Sequence, residues 1–254
     1  MVHGVGDTGR APGVRVPDSV RALLFDMDGV LTDTARVHAG AWQQTFDAVL
    51  DELGSDAPRF DTDADYRAYV DGKSRLDGVR SFLEARGVEL PEGEADDGPQ
   101  ALTVRGVGRR KNDLVLELIR SRGVDRYEGS LRFVEQARAK GLQTAVVSSS
   151  ANAREALRSA GMDELFDTWV DGVRIDEEGL PGKPAPDTFL AAARDLGVSP
   201  AHAAVLEDAL AGVAAGRAGD FGWVVGVDRT GHPDDLRKHG ADVVVRDLEE
   251  LELA

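Results

Sequence analysis

The sequence predicts an α/β fold in which a parallel sheet carries helices on both faces and a separate α-helical cap domain is inserted. Two observations support this fold class. Short apolar segments rich in Val and Leu alternate with helical patterns, which is typical of parallel sheets covered by helices. The interval between residues 26 and 143 contains helical patterns only, and this is far more chain than one crossover helix needs.

Five apolar segments are the predicted strands of the sheet. Each is short and shows little polar alternation, as expected of a strand that is buried on both faces. They cover residues 20–25, 144–148, 203–206, 223–227 and 242–245. A helix before the second strand is indicated by Leu131, Val134 and Ala137 at helical spacing, with Gly141 placed as its carboxyl-terminal cap.

The inserted helical domain is predicted from residue 34 to residue 122, as a lid over the strand ends. Its apolar stripes are Trp42, Phe46, Val49, Leu50 and Leu53, then Leu76, Val79 and Leu83, then Leu114, Leu118 and Ile119. Residues 91–100, acidic and rich in Gly and Pro, are expected to form a loop within it. Residues 20–33 and 123–254 make up the remaining core, and residues 1–19 are interpreted as a mobile leader.

The composition argues against several classes of function. Among 254 residues, 46 are Asp or Glu and 30 are Lys or Arg, so the formal net charge is -16. Nucleic acids and anionic membranes would be repelled by such a surface, and neither is an expected partner. The chain has no cysteine, which excludes disulfides and thiolate chemistry. Without a signal-peptide pattern or an apolar run of membrane length, we expect a cytoplasmic protein.

The segment LLFDMDGVLTDT, residues 23–34, crowds three carboxylates at the end of the first predicted strand. These are Asp26, Asp28 and Asp33. Carboxylates packed this closely repel one another unless a cation offsets their charge, so a metal site is the first hypothesis. We interpret Asp33 as structural, capping the following helix alongside Thr34.

Further polar residues lie near the ends of later strands. Ser148 ends the second predicted strand, and Glu207 and Asp208 follow the third. Lys183 lies in the segment GKPAPD, directly before a helix. Because sites in open α/β sheets gather at the carboxyl ends of the strands, we expect these residues to converge with Asp26 on one pocket.

Taken together, these motifs resemble the haloacid dehalogenase superfamily of phosphotransferases, which implies a Rossmann-like, doubly wound core. The resemblance spans residues 20–245 and rests on DxDGVLTDT, a serine after a strand, KPAPD and ED, in that order. Each motif alone is weak evidence for the superfamily, but the four motifs in this order and spacing are strong evidence together. The dehalogenases of the superfamily lack the second aspartate, which this chain has at Asp28, so phosphoryl transfer is the expected chemistry.

The resemblance implies a role for each acid. Asp26 is expected to attack phosphorus as the nucleophile and to form an aspartyl-phosphate. Asp28 is expected to protonate the leaving oxygen and then to deprotonate the acceptor. Mg²⁺ prefers hard oxygen ligands, which Asp26, the main-chain carbonyl of Asp28, and Asp208 would supply, with Glu207 beside them or acting through water.

Four residues are candidates for phosphate binding. Ser148 and Lys183 are expected to hold and neutralise the phosphoryl oxygens. Ser149 and Asn152 are further candidates, with the alternatives that Ser149 only terminates the strand and that Asn152 only caps the next helix. Nucleotide binding gets little support, because GVGRRKN lacks the third glycine of a dinucleotide fingerprint and Glu177 stands where a P-loop needs its first glycine.

The predicted lid resembles that of the β-phosphoglucomutase family in the segments TDTARVHAGAW, DGKSR and RKN. The matching residues are Thr34, His38, Trp42, Gly72, Ser74, Arg75, Arg110, Lys111 and Asn112. In that family the arginine grips the distal phosphate of a sugar bisphosphate, which implies the same role for Arg75. Trp42, Gly72, Ser74 and Asn112 are carried over as substrate-binding residues.

The resemblance also implies that Thr34, His38 and Lys111 position the substrate and couple closure to acid–base chemistry. Two structural alternatives stay open: His38 as a core histidine with a satisfied partner, and Lys111 as a surface lysine with a buried stem. Two departures from the family leave the phosphate geometry or selectivity open. Ser149 replaces an alanine of close mutases, and Ala209 replaces the serine that often follows ED.

The functional hypothesis is a Mg²⁺-dependent β-phosphoglucomutase that works through phospho-Asp26 and β-glucose 1,6-bisphosphate. The alternative is a sugar-phosphate phosphatase built from the same residues, in which water accepts the phosphoryl group. A third hypothesis is a non-catalytic protein that binds a sugar phosphate or a phosphorylase. We expect a monomer whose partner is a small sugar phosphate, with a functional link to a disaccharide phosphorylase that releases β-glucose 1-phosphate.

Overall fold

The computed structural model describes residues 13–253. Within this range the strands are β1 (Val14–Arg15), β2 (Ala22–Phe25), β3 (Gln143–Val147), β4 (Thr168–Val170), β5 (Ala203–Glu207), β6 (Trp223–Val227), β7 (Val243–Val245) and β8 (Leu251–Glu252). The helices are α1 (Ala35–Glu52), α2 (Arg75–Ala85), α3 (Val104–Arg122), α4 (Glu128–Ala139), α5 (Ala153–Ser159), α6 (Gly172–Glu178), α7 (Asp187–Asp195), α8 (Leu210–Ala218) and α9 (Pro233–His239).

Six parallel strands form the main sheet, in the order β4-β3-β2-β5-β6-β7. The central strand β2 is buried along its whole length. Alternate side chains of a strand point to opposite faces, so Leu23 and Phe25 pack into one apolar cluster while Ala22 and Leu24 pack into another. Helices α4 and α5 contribute to the first cluster, and α7 and α8 to the second. The predicted α/β fold class with helices on both faces is confirmed.

All five predicted strands are present, and the segment 223–227 coincides with β6. The first strand begins two residues later than predicted, at Ala22. The edge strand β4 was not predicted, because its three residues begin with the polar Thr168 and do not form a continuous apolar run. The predicted helix end at Gly141 is confirmed, since α4 ends just before this glycine, whose φ of 78° lies in the left-handed region.

The predicted leader, residues 1–19, is wrong for its described part. Val14–Arg15 forms β1, which pairs in parallel with β8 near the carboxyl terminus. Val16 is buried and packs with the cluster that contains Phe25. Residues 1–12 of the predicted leader lie outside the described residues. An apolar contact and a strand pairing therefore fix the chain from residue 14 onward.

Between β2 and β3 the chain forms α1, α2, α3 and a single π-helical turn, Tyr66–Val70. We call residues 34–122 the insert. Its aromatic side chains build a cluster of their own, in which Phe46 stacks on Trp42 and on Phe82. The predicted loop at residues 91–100 is confirmed as irregular chain between α2 and α3. Leu53, predicted to extend the first stripe, is instead 39% exposed at the end of α1.

The start of α1 differs from the prediction. Thr34 occupies the capping position, but its hydroxyl makes no capping hydrogen bond and donates to the Asp28 carboxylate instead. Asp33 accepts a hydrogen bond from the hydroxyl of Tyr127 at 3.1 Å, away from the helix end. The predicted cap by Asp33 and Thr34 is therefore wrong, and Thr34 is oriented toward the site. In the part of the chain that the structure describes, no helix has the length and apolarity needed to cross a membrane.

Candidate active site

A cavity lies at the carboxyl ends of β2, β3 and β5, where the insert meets the sheet. The predicted site residues that line it are Asp26, Asp28, His38, Trp42, Gly72, Arg75, Lys111, Asn112, Ser149, Asn152 and Asp208. Thr34 and Lys183 contact lining carboxylates from behind, and Glu207 contacts Lys183. Parallel strands thus bring together residues that are far apart in sequence, as expected.

Asp26 directly follows β2, and its backbone N–H donates to the carbonyl of Leu206 at 3.0 Å. This bond continues the pairing of β2 with β5 and holds the Asp26 side chain at the strand end. The residue is only 7% exposed. Burial raises the pKa of Asp26 to about 6, the Lys183 ammonium opposes the rise, and the Asp28 charge adds to it. A partly buried carboxylate at this position is a suitable nucleophile.

Lys183 is the buried cation that compensates two carboxylates. Its Nζ lies 2.5 Å from Asp26 Oδ1 and 2.6 Å from Glu207 Oε1. It also donates to the carbonyl of Val147, the last residue of β3. Burial by itself would lower the pKa of Lys183, but the two carboxylates outweigh it and raise the pKa above its usual value. The side chain therefore stays charged and connects the ends of β2, β3 and β5.

Glu207 is fully buried, and protein donors engage both of its carboxylate oxygens. Oε1 contacts Lys183, and Oε2 accepts the backbone N–H of Ala209 at 2.6 Å. Burial raises the pKa of Glu207 to about 7 against the opposing effect of Lys183. Each oxygen of Glu207 thus has a protein donor, and the predicted role of Glu207 beside the metal ligands or through water stays a prediction. Its observed contacts position Lys183.

Asp28 lies on the same side of the backbone as Asp26 and faces the insert. It accepts the hydrogen bond from Thr34, and His38 Nε2 lies 3.8 Å from its Oδ1. Thr34 is in turn within 3.0 Å of the hydroxyl of Thr32. Burial raises the pKa of Asp28, while the bond from Thr34 opposes the rise. A raised pKa keeps a carboxyl group partly protonated, as a general acid requires.

His38 and Lys111 form a buried pair within the insert. Lys111 Nζ lies 2.9 Å from His38 Nδ1 and 4.8 Å above the ring of Trp42. Burial lowers the pKa of Lys111 to about 7, and burial together with the Lys111 charge lowers the pKa of His38 well below its usual value. When Lys111 donates to Nδ1, the neutral His38 carries its proton on Nε2, which faces Asp28. Lys111 is therefore not a surface lysine, and His38 is a buried histidine whose Nδ1 has a partner and whose Nε2 has no hydrogen-bond partner among the described residues.

At the other side of the cavity, Arg75 begins α2 and contacts α3. Its Nη1 donates to Asn112 Oδ1 at 2.7 Å, and that same oxygen accepts a bond from Asn152 Nδ2 at 3.0 Å. Arg75 Nε is buried and has no hydrogen-bond partner among the described residues. Burial lowers the pKa of Arg75, and Asp176 opposes this. A guanidinium with a free buried donor suits an anionic group such as a phosphate.

Three predicted binding residues have other contacts. Ser148 is 1% exposed behind the cavity wall, and its hydroxyl accepts the backbone N–H of Ser150. Ser149 does line the cavity, but its hydroxyl donates to the carbonyl of Gly72 in the insert at 3.2 Å. Ser74 is not on the wall: its hydroxyl caps α2 by accepting the N–H of Asp77. A substrate contact by Ser74 is therefore not supported.

The alternative that Asn152 caps α5 is wrong. Asn152 occupies the capping position, but its side chain makes no capping bond. It reaches across to Asn112 in the insert instead. Asn152 with Asn112 and Ser149 with Gly72 are therefore two of the contacts that join the core and the insert.

The predicted metal ligands form an acidic pocket next to Gly29. An added Cβ at Gly29, which has a φ of 81°, would lie 1.7 Å from Asp208 Oδ2. Only glycine lets the Asp208 carboxylate lie against the chain that follows Asp28. Burial raises the pKa of Asp208 well above its usual value, with Asp71, Glu207, Asp26 and Asp28 adding to the rise.

Within residues 13–253, no three His, Asp or Glu side chains are arranged as a metal site by themselves. The predicted metal ligands are not three side chains. They are the carboxylates of Asp26 and Asp208 and the main-chain carbonyl of Asp28. The uncompensated negative charge around Asp208 and the space left by Gly29 both fit a hard cation held by oxygen ligands.

Sequence reasoning missed some residues of the cavity wall, among them Asp71, Tyr66 and Lys73. Burial raises the pKa of Asp71 to about 7, and the charges of Glu207 and Asp28 add to the rise. Asp71 is the first residue of the segment DGKSR, so the segment itself was a signal that could have led to it. Tyr66 lies on the π-helical turn, which no periodicity in the sequence indicated.

The family model for haloacid dehalogenase-like hydrolases matches residues 20–220. The chain belongs to this family. A β-phosphoglucomutase of Mycobacterium bovis is 55% identical over 243 residues, which are 93% of each protein. An uncharacterized glycosyl hydrolase of Mycobacterium tuberculosis is 34% identical over 231 residues, which are 89% of this chain and 17% of that protein. The crystal structure of a β-phosphoglucomutase from Clostridium difficile has a TM-score of 0.71 and 26% identity, covering 92% of this chain and 93% of that one.

This haloacid dehalogenase-like protein is an enzyme, a phosphotransferase or a phosphatase, and it is similar to β-phosphoglucomutases. The resemblance noted in the sequence is thereby confirmed. The hypothesis of a non-catalytic binding protein is not supported, since the comparisons indicate an enzyme.

Proposed function

We propose that this enzyme is a Mg²⁺-dependent β-phosphoglucomutase, which interconverts β-glucose 1-phosphate and glucose 6-phosphate. The observation that carries the proposal is the placement of Asp26 and Asp28 in one cavity with Arg75. A mutase of this kind must hold both phosphates of a bisphosphate at once. Lys183, which contacts Asp26, supplies a cation at the reacting end, and Arg75 supplies one at the distal end.

The reaction runs through two phosphoryl transfers at Asp26. Phospho-Asp26 first gives its phosphoryl group to the 6-hydroxyl of β-glucose 1-phosphate, which forms β-glucose 1,6-bisphosphate. Asp28 takes the proton of that hydroxyl. After the bisphosphate turns end for end, Asp26 attacks the phosphorus on the C1 oxygen, and Asp28 returns the proton to the leaving oxygen. Glucose 6-phosphate is released and phospho-Asp26 is regenerated.

Positive charge balances the phosphoryl group as it moves. Lys183 contacts Asp26 and neutralises the phosphoryl oxygens, and Asn152 on the cavity wall donates to the phosphate through its amide. Thr34 and His38 hold the Asp28 carboxyl in place, and Lys111 connects this pair to the insert through His38. The acid–base group is thereby complete only when the insert lies against the core.

Mg²⁺ would be held by the Asp26 and Asp208 carboxylates and by the main-chain carbonyl of Asp28. When bound, it would offset the charge of the crowded carboxylates and polarise a phosphoryl oxygen. The fit of the site to a cation rests on the space beside Gly29 and on the group of buried acids around Asp208.

We further propose that the insert is a separate domain that acts as a cap. Two of its contacts to the core, Ser149 with Gly72 and Asn112 with Asn152, lie at the cavity. Closed, the cap would exclude water, so that phospho-Asp26 reacts with a sugar hydroxyl rather than with water. The second candidate function, a sugar-phosphate phosphatase, uses the same residues with a less tight closure.

The partner remains a small sugar phosphate in this proposal, and the protein acts as a monomer in the cytoplasm. The supplier of β-glucose 1-phosphate is a disaccharide phosphorylase. A glycosyl hydrolase that contains a region 34% identical to this chain supports a link to glycoside breakdown.

The test is phosphorus NMR of the purified enzyme with β-glucose 1-phosphate, Mg²⁺ and a trace of glucose 1,6-bisphosphate, beside Asp26→Asn. We expect glucose 6-phosphate to appear without inorganic phosphate and only when Asp26 is present. Accumulating inorganic phosphate would establish the phosphatase instead. No conversion by the unchanged protein with primer and Mg²⁺ would reject both functions for this substrate.

A further inference from the structure

Arg229 follows β6 by two residues and lies off the cavity wall, and the proposed reaction does not use it. Its side chain is nevertheless only 18% exposed. Its Nε donates to the main-chain carbonyl of Gly29 at 2.7 Å, and its Nη1 donates to the carbonyl of Arg246 at 2.7 Å. An arginine with so little exposure is unusual unless its charge and its donors have specific partners.

The loop after β6 holds Arg229 in place. Oδ1 of Asp228 accepts the backbone N–H groups of residues 230–232, which fixes the course of the loop. The guanidinium carbon lies 3.6 Å from the centroid of the Tyr127 ring, and Nη1 lies 3.3 Å from Oδ2 of Asp247. The ring and the carboxylate both stabilise the charge, so the guanidinium is held with its Nε toward Gly29.

Gly29 is the point of the turn after Asp28 where the backbone has most freedom, because glycine adopts conformations on both sides of φ = 0. Its N–H donates to the carbonyl of Thr32 at 2.8 Å, which orients the peptide unit between Asp28 and Gly29. The next peptide unit contains the Gly29 carbonyl. Among the described residues, Arg229 Nε is the donor found for this carbonyl. The two bonds together fix both peptide units beside Gly29.

Both peptide units belong to the proposed cation site. The first contains the main-chain carbonyl of Asp28, which is one of the proposed ligands. The second sets the conformation in which Gly29 leaves space for Asp208, since an added Cβ would lie 1.7 Å from Asp208 Oδ2. Rotation of the backbone at Gly29 would turn the Asp28 carbonyl and move the chain against Asp208.

We propose that Arg229 is a positioning residue, which holds the Gly29 carbonyl and thereby keeps the Asp28 carbonyl and the Asp208 carboxylate in place at the cation site. The inference deepens the proposed function and rests on it for the role of the cation. Arg229 acts through the backbone of Gly29 and not by contact with the substrate. Removal of a group that orients a metal ligand typically weakens metal binding by about 10- to 100-fold.

A matched pair of substitutions isolates the bond to Gly29. Arg229→Gln and Arg229→Met both remove the guanidinium charge and the contacts of Nη1. The amide nitrogen of glutamine follows Cδ, as Nε does in arginine, and can still donate to the Gly29 carbonyl. Methionine has a methyl group at that position and cannot donate. The control is Arg217→Met, because Arg217 also donates to a glycine carbonyl, that of Gly240, and lies off the cavity wall.

The measurement is calorimetric titration of the substrate-free proteins with magnesium chloride, beside denaturant unfolding of each variant. We expect the dissociation constant for Mg²⁺ to rise about 10- to 100-fold in Arg229→Met. In Arg229→Gln and Arg217→Met it should stay within about threefold of the value for the unchanged enzyme. The two Arg229 variants should lose similar unfolding free energy, so lost stability would not explain a difference in Mg²⁺ binding between them.

Equal dissociation constants in Arg229→Met and Arg229→Gln would overturn the inference, whether both are unchanged or both are raised. The bond to the Gly29 carbonyl would then make no difference to the cation site. If Arg229→Met does not fold, Arg229→Lys takes its place under the same criteria, because lysine keeps the charge and has a methylene group in the position of Nε.

The inference and the proposed function fail in different ways. Equal Mg²⁺ binding by the two Arg229 variants, with conversion of β-glucose 1-phosphate to glucose 6-phosphate by the unchanged enzyme, keeps the mutase and rejects the role of Arg229. Weaker Mg²⁺ binding by Arg229→Met alone, in an enzyme that only releases inorganic phosphate, keeps the role of Arg229 and rejects the mutase.

Discussion

Lys183 shows how this site tolerates buried charge at the scale of single residues. It lies between Asp26 and Glu207, and all three side chains are at most 10% exposed. Removing one partner of a buried ion group leaves the remaining charges uncompensated, which costs far more than an exposed pair contributes. The ammonium therefore has a structural role besides its role toward phosphate.

Lys183→Met should lower the free energy of unfolding by roughly 3–5 kcal/mol at neutral pH. The control is Lys238→Met, which breaks an exposed ion pair with Asp235. This variant should change the free energy of unfolding by about 1 kcal/mol or less. Denaturant unfolding followed by circular dichroism measures both. Equal small losses in the two variants would mean that Lys183 does not compensate the buried acids.

Lys111 gives the stability a pH dependence of known sign. Burial lowers its native pKa from 10.5 to about 7. Below about pH 7 the ammonium is charged in both the native and the unfolded state. Between the two pKa values the unfolded state binds more protons, so this group makes stability rise with pH.

We therefore expect the difference in unfolding free energy between the unchanged protein and Lys111→Met to rise from about pH 7 toward about pH 10. Below about pH 7, Lys111 should add no pH dependence to this difference in unfolding free energy. Urea unfolding across this range measures it, and Lys238→Met, with an exposed amine, should show no such rise. A difference that falls with pH would contradict the lowered pKa.

The residues of the core site followed from the sequence because each stands directly after a strand or within a recognisable motif. Asp26 and Asp28 come one and three residues after β2, so the end of one apolar run located both. The contacts of Ser74 and Glu207 did not follow, since a helix cap and an ion pair are set by three-dimensional neighbours that no spacing encodes.

At the scale of elements, continuous apolar runs could be predicted as strands, including the three-residue β7, whereas β1 and β4 could not. The central strands have apolar side chains toward both faces, which gives an uninterrupted apolar run. Strand β4 has three residues and β1 has two, so their formation depends on pairing with β3 and β8. The π-helical turn before Asp71 is likewise a consequence of packing rather than of periodicity.

The turn after β2 has a testable geometric requirement at Gly29. Its φ is 81°, and an added Cβ would lie 1.7 Å from the Asp208 carboxylate. Gly231 has the same φ, but an added Cβ there would meet nothing within 4 Å. Gly29→Ala and Gly231→Ala should each lose about 1–2 kcal/mol of stability from backbone strain.

Only Gly29→Ala should also displace Asp208. We expect the Mg²⁺ concentration for half-maximal activity to rise about 10- to 100-fold in this variant and to stay unchanged in Gly231→Ala. Activity titrated against Mg²⁺ measures the effect. An unchanged requirement in Gly29→Ala would show that Asp208 does not hold the cation from this position.

At the scale of the whole molecule, the cavity is shared between the sheet and the insert, which has an apolar cluster of its own and also contributes Ala41, Val115 and Ile119 to the cluster of the sheet. The cluster of the insert contains Phe46 and Phe82, and the clusters of the sheet contain Phe25 and Phe189. Polar contacts at the cavity, such as Asn112 with Asn152, join the parts. Under the proposed cap closure, these polar contacts at the cavity would form and break more readily than the apolar contacts of Ala41, Val115 and Ile119 with the sheet's cluster.

The choice between sugar hydroxyl and water as acceptor should depend on these polar contacts. Asn152→Ala removes the bond to Asn112 and loosens closure, so the ratio of inorganic phosphate to glucose 6-phosphate should rise by about tenfold. Gln43→Ala is the control, since it removes a bond to Phe60 that lies entirely within the insert. Phosphorus NMR of both variants with β-glucose 1-phosphate gives the two products at once. If the ratio is equal in the two variants, the contact between Asn112 and Asn152 does not govern the exclusion of water.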